Sequence, residues 1–165
     1  MVNELENSND KLSIFADKDK LNNCSELSYS DLVGLVRDFL TDEQKVQLFK
    51  FEHFTNTSSH VKSRIILSIS DSTAKLKLIT NDEIMSGVDG YNALEIVQSL
   101  DESDKVQILK NVAFLEKYEI RDYEIEKIIL SLGDEAKTKL VLDTELMQNQ
   151  FNLEKYAIRK NCSKQ

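Results

Sequence analysis

Ile65-Ile66-Leu67-Ser68-Ile69-Ser70-Asp71, Ile96-Val97-Gln98-Ser99-Leu100-Asp101-Glu102 and Ile128-Ile129-Leu130-Ser131-Leu132-Gly133-Asp134 are three versions of one phrase. Each is an apolar pair, a serine in fourth place, another apolar residue and then acid. Each runs on into a lysine with apolar neighbours: Lys75-Leu76-Lys77-Leu78, Lys105-Val106-Gln107-Ile108 and Lys137-Thr138-Lys139-Leu140. A worn copy precedes them, Val36-Arg37-Asp38-Phe39-Leu40-Thr41-Asp42-Glu43 with Lys45-Val46-Gln47-Leu48. Aligning Leu40, Ile69, Leu100 and Leu132 gives spacings of 29, 31 and 32 residues, the size of helical solenoid units.

The apolar periodicity makes each unit a helical hairpin. Helix A carries Tyr91, Leu94, Ile96, Val97 and Leu100, or Tyr123, Ile125, Ile128, Ile129 and Leu132, at helical spacing, which predicts one inward face. Thr41, Ser70 or Gly133 then breaks the helix, and the acids that follow suit the positive end of helix B. The lysines Lys75, Lys77, Lys105 and Lys110 are expected toward the C-terminal end of helix B, where positive charge is favoured. Beyond helix B, Thr80-Asn81-Asp82-Glu83-Ile84-Met85, Asn111-Val112-Ala113-Phe114-Leu115-Glu116 and Asp143-Thr144-Glu145-Leu146-Met147 each offer a further cap for a short helix. Ser86-Gly87-Val88-Asp89-Gly90 and Tyr118-Glu119-Ile120-Arg121 lead into the next helix A. Asp19 to Val36 reads as an amino-terminal half-unit. Phe151, Leu153, Tyr156 and Ile158 read as the start of a capping helix A. The polar run from His53 to His60 reads as the most flexible loop.

Composition agrees with helices. Among 165 residues there is no proline or tryptophan and there are only 4 glycines, whereas hairpin-rich sheets use Gly and Pro at their turns. With 41% hydrophobic residues the chain can bury a core without disulfides or metals. The expectation is an all-α fold: tandem hairpins of about 30 residues forming a short alpha-solenoid or compact helical superhelix. Residues 1–12 form a flexible arm, 13–160 one helical-repeat domain, and 161–165 a polar tail. The polar start lacks a signal-peptide core, and no stretch is long enough for a membrane span. The formal net charge of -8 opposes a nucleic-acid or anionic membrane partner. Cys24 and Cys162 read as free thiols in a reducing compartment, with a disulfide closing the loop between them as the alternative.

The unit from Ser99-Leu100-Asp101-Glu102-Ser103-Asp104-Lys105-Val106-Gln107-Ile108-Leu109, preceded by Gly90-Tyr91-Asn92-Ala93-Leu94, resembles short alpha-helical repeats in effector proteins of Legionella-type intracellular bacteria. The resemblance covers roughly residues 30 to 160. It implies an interaction scaffold with no catalytic set, acting in the cytoplasm or, if translocated, in a host cytosol. The tail Ala157 to Gln165 lacks the acidic cluster commonly associated with such effectors. Leu27 to Leu40 has the rhythm of an F-box opening without its proline, and the repeat accounts for that rhythm.

Catalytic chemistry is hard to assemble from these residues. His53 and His60 are seven apart with a polar stretch between them, and a metal would need Cys24, Glu52 or Asp42 as further ligands. Neither cysteine has the electropositive setting of a nucleophile. The acidic pairs Asp42-Glu43, Asp82-Glu83, Asp101-Glu102 and Asp134-Glu135 could suggest a two-carboxylate hydrolase, but helix starts account for them more simply. Gly87-Val88-Asp89-Gly90 lacks the spacing of a phosphate loop. The expectation is therefore no enzyme, no cofactor and no metal, and a partner that is another protein. The candidate contacts are Phe51, Phe54, Tyr118 and Tyr156, each equally able to be core. The alternative is an acidic inhibitor or regulatory subunit of a cognate enzyme.

Overall fold

The computed structural model describes residues 8–17, 19 and 28–142. Their regular structure is all helical: α1 (Ser8–Ala16), α2 (Tyr29–Phe39), α3 (Asp42–Leu48), α4 (Glu52–Thr55), α5 (Ser59–Leu67), α6 (Ser72–Ile79), α7 (Gly90–Gln98), α8 (Glu102–Lys110), α9 (Val112–Lys117), α10 (Asp122–Leu130) and α11 (Asp134–Leu142). No strand occurs among the described residues, and no helix among them is long and apolar enough to cross a membrane. Residues 8–12, assigned above to a flexible arm, begin α1. The chain divides into two compact units, 1–100 and 101–165. Cys24, Cys162, Phe151, Leu153, Tyr156 and Ile158, with the cap at Asp143, lie outside the described residues.

In the first unit short polar side chains cap α2, α3, α5, α6 and α7. Ser28 and Asp31 make a reciprocal capping box on α2, and Thr41 and Gln44 make another on α3. At α6 the cap is Asp71 rather than Ser70, its carboxylate accepting from the Ala74 amide at 3.1 Å. Helix α5 packs between α2 and α7, burying Val36, Ile65, Ile66, Ala93, Ile96 and Val97 completely. Each buried branched side chain of this kind contributes about 1.5–3 kcal/mol.

The lysines do something the periodicity does not predict. Lys45 and Lys75 each stand four residues past an N-cap, Lys45 in the last turn of the short α3 and Lys75 midway along α6, and both are buried. Lys45 Nζ donates to the Ser68 carbonyl at 2.7 Å, and Lys75 Nζ to the Ser99 carbonyl at 3.3 Å and hydroxyl at 3.2 Å. Ser68 and Ser99 are the C-caps of α5 and α7, so each charge sits at the negative end of the following helix A. The expectation that Lys75 serves the end of its own helix is corrected accordingly. A parallel bond starts from the acid: Asp42 Oδ2 accepts from the Ser70 and Asp71 amides at 2.7 and 3.1 Å. Lys62, only 1% exposed, donates to the Ser86 carbonyl at 2.5 Å, and burial lowers its pKa.

The second unit repeats these contacts in looser form. Helix α8 packs against α9 and α11 over Ile108, Leu109, Leu115 and Leu140. Lys105 Nζ reaches the hydroxyl of Ser131, the C-cap of α10, at 3.4 Å, and Glu102 Oε1 accepts from the Gly133 amide at 2.9 Å. Asn111 ends α8 and caps α9, its side chain accepting from the Phe114 amide at 3.1 Å. Helix α9 closes with the Ile120 amide bonded to the Leu115 carbonyl and the Glu119 amide to the Glu116 carbonyl. That is a Schellman motif with Glu119 in the left-handed region at φ 51°. The corresponding turn of the first unit has Gly87 at φ 75°.

Candidate interaction surface

The first unit brings its helices A into register. Thr41 follows Leu40, the C-cap of α2, and its neighbour Asp42 binds the Ser70 and Asp71 amides just beyond α5. The C-terminal ends of α2 and α5 therefore lie together, and the two packed helices run parallel. At the opposite end Ser59 Oγ donates to Asp89 Oδ2 at 2.8 Å. Asn92 Nδ2 donates to Ser59 Oγ at 3.0 Å and to Asp89 Oδ2 at 2.8 Å. Ser63 Oγ donates to Asn92 Oδ1 at 2.8 Å in a buried contact, and Arg64 pairs with Glu95 at 2.9 Å. These bonds fix the N-terminal ends of α5 and α7 side by side. The result is a parallel layer in the order α2, α5, α7, with all three N-termini on one edge.

That edge carries aromatic rings that the core does not use. Tyr29 opens α2 and is 70% exposed, and Tyr91, the second residue of α7, is 77% exposed. His60, the second residue of α5, is also exposed. Tyr91 precedes the fully buried Ala93 by two residues, about 200° around a helix, so it points away from the face formed by Ala93, Ile96 and Val97. Tyr123 occupies the same second position in α10 and is 63% exposed. Its ring lies under its own helix's Lys127, whose Nζ is 4.4 Å from the centroid. Both tyrosines were expected in the inward stripe of helix A. The stripe begins two residues later in each helix, and the phase relative to Ala93 and Ile125 is the signal that separates them from it.

The surroundings of the edge are acidic. The segments leading into α5 and α7, residues 49–58 and 80–89, contribute Glu52, Asp82, Glu83 and Asp89 against Lys50, and α2 adds Asp31 in its first turn, while the cations of α5 here are the buried Lys62 on the Ser86 carbonyl and Arg64 paired with Glu95. Asp89 is held below the ordinary carboxylate range by the Asn92 amide, with help from Ser59 and the Asn92 side chain. Asp31 is lowered by the Ser28 hydroxyl and then the Ser28 amide. Both carboxylates thus stay charged at neutral pH while satisfying the donors at their helix starts.

The residues singled out from sequence fall elsewhere. Phe54 and Tyr118 are buried, Phe51 is half-buried, and Tyr156 lies outside the described residues. His53 sits on the short helix α4, where a loop was expected. Its Nε2 is 2.8 Å from the Phe15 carbonyl, and its ring lies 4.7 Å from that of Phe54. His53 and His60 therefore belong to different helices with different neighbours. No group of three or more His, Cys, Asp or Glu among the described residues could hold a metal ion. Of the acidic pairs, Asp42 and Glu102 bond to backbone amides at the entrance to the next helix B rather than to each other. No family model, curated protein or solved structure matches the chain.

Proposed function

We propose that the chain is a non-catalytic protein-interaction module built from helical-hairpin repeats, and that the edge bearing Tyr29, His60 and Tyr91 is its contact surface. One observation carries the reading: a ring stands exposed at the first or second position of three neighbouring, parallel helices, α2, α5 and α7, where it adds nothing to the core. Tyrosine suits interfaces because it offers a large, stiff contact area at small entropic cost. The recurring lysine-to-serine and acid-to-amide bonds support the repeat, since they recur with its spacing, and stacked repeats present extended surfaces.

The test is a photo-crosslinking residue placed at position 91 and, separately, at Gln98 on the other end of the same helix. The two variants are compared in extracts of the producing organism and of a host cell. A discrete protein adduct formed from position 91 and not from 98 is the expected result. Equal labelling from both, or none from either, would sink the proposal. Adducts confined to host extract would favour the effector role. The surplus of carboxylates at the edge favours one second reading, an acidic regulatory subunit, for which the adduct would be a basic enzyme of the producing organism.

A further inference from the structure

We infer that the occupant of this edge is a cationic polypeptide segment whose arginine or lysine side chains lie on the rings of Tyr29 and Tyr91. The inference rests on the interaction reading above and specifies its partner. The second unit supplies an internal precedent, because the equivalent ring, Tyr123, already carries a cation on its face from Lys127, four residues on. At Tyr91 the residue four on is Glu95, whose carboxylate pairs with Arg64. At Tyr29 it is Val33. Among the described residues no lysine or arginine lies over either ring. As far as the described residues go, the first unit thus presents bare ring faces at positions like the one the chain itself fills with an ammonium group.

Charge points the same way. A helix N-terminus favours anions through roughly half a positive charge. Here, however, one first-turn amide of each helix is already engaged: that of Asp31 donates to the Ser28 hydroxyl in α2, that of Val61 to the Ser58 hydroxyl in α5, and that of Asn92 to the Asp89 carboxylate in α7. Glu52, Glu83 and the two capping aspartates set the sign of the edge, and an anionic partner would have to approach those carboxylates. Packed helices stand about 8–10 Å apart, so Tyr29 and Tyr91 are separated by on the order of 20 Å. An extended chain covers that distance in about six residues at roughly 3.3 Å each. Cationic side chains six apart in an extended segment would therefore reach both rings.

The experiment is a titration of the full chain with a fluorescent twelve-residue Gly/Ser peptide carrying arginine at every third position, followed by anisotropy at two salt concentrations. A peptide with glutamate at the same positions and a single-stranded oligothymidylate run beside it. The arginine peptide should bind saturably and more weakly at high salt. The double variant Tyr29→Ser/Tyr91→Ser should weaken it about tenfold, two exposed cation–π contacts being worth about 0.5–1 kcal/mol each. Tyr91→Phe, which keeps the ring, should stay within about twofold, and Glu52→Gln/Glu83→Gln should reduce the salt dependence. Helical circular dichroism identical to the parent confirms that each variant is folded. No binding of the arginine peptide, undiminished binding by the double serine variant, or tighter binding of the glutamate peptide or oligonucleotide overturns the inference. If adducts still form from position 91 in that event, the interaction surface stands and only its cationic partner falls; if they do not, both fall.

Discussion

The two units make similar side-chain clamps with different tightness. In the first, Lys45 and Lys75 are buried and reach serine carbonyls, the turn before α7 has Gly87 at its left-handed position, and Tyr91 is open. In the second, Lys105 is half-exposed and touches only a hydroxyl at 3.4 Å, Glu119 takes the left-handed position, and Lys127 covers Tyr123. The difference teaches that a lysine and a serine meet across helices in both units, while the closeness of each meeting varies with burial.

The largest effects should come from the cores. Ile65→Ala and Ile128→Ala each remove a fully buried side chain and should cost about 2–5 kcal/mol. Hydrogen exchange sharpens the comparison: each substitution should raise exchange chiefly in its own unit. Uniform loss of protection from either one would mean that the chain unfolds as a single body. Next come the lysines. Lys75→Ala leaves the buried end of α7 without its charged donor and should cost about 1–3 kcal/mol, whereas Lys105→Ala should cost less than about 1 kcal/mol. Equal losses in chemical denaturation would erase the distinction between buried and exposed clamps.

The helical class was legible because apolar periodicity and caps are local signals. Ser99, Asp101 and Lys105 could be named as recurrent from one line of text. What they touch could not, because the lysine at Lys75 and the serine at Ser99 meet only after the intervening helix turns the chain back. The ring-bearing edge was hidden for another reason: Tyr91 and Leu94 are three residues apart, so they fit a helical stripe, and only the burial of Ala93 fixes where the face lies.

Asp42 makes the contrast testable by pH. Burial pushes its pKa up, but the Ser70 and Asp71 amides and Lys45 outweigh this and hold it below the ordinary value. Its contribution to stability is therefore complete above the unfolded pKa, about 4, and is lost as pH falls through the lower folded value. Asp42→Asn, which keeps an acceptor but no charge, should lower stability by on the order of 1 kcal/mol at pH 7 and flatten the acid limb of the profile. An unchanged slope between pH 5 and 2.5 would count against the carboxylate bridge. The turns should respond with opposite signs. Glu119→Gly relieves a left-handed backbone and should stabilise by about 1 kcal/mol, while Gly87→Ala, which meets no atom within 4 Å, should destabilise by about the same through φ alone.

The smallest effect concerns the rings themselves. Tyr91→Ser removes a side chain that is 77% exposed and should leave stability unchanged within about 0.5 kcal/mol. Tyr123→Ser also removes the ring beneath Lys127 and should cost about 0.5–1 kcal/mol. A paired measurement of thermal melting in both variants, each with Lys127→Met as a second change, isolates the difference. The Lys127 substitution should be additive with Tyr91→Ser and non-additive with Tyr123→Ser. If Tyr91→Ser proved as costly as a core substitution, the ring would be holding the first unit together, and its exposure would cease to be an argument for a partner.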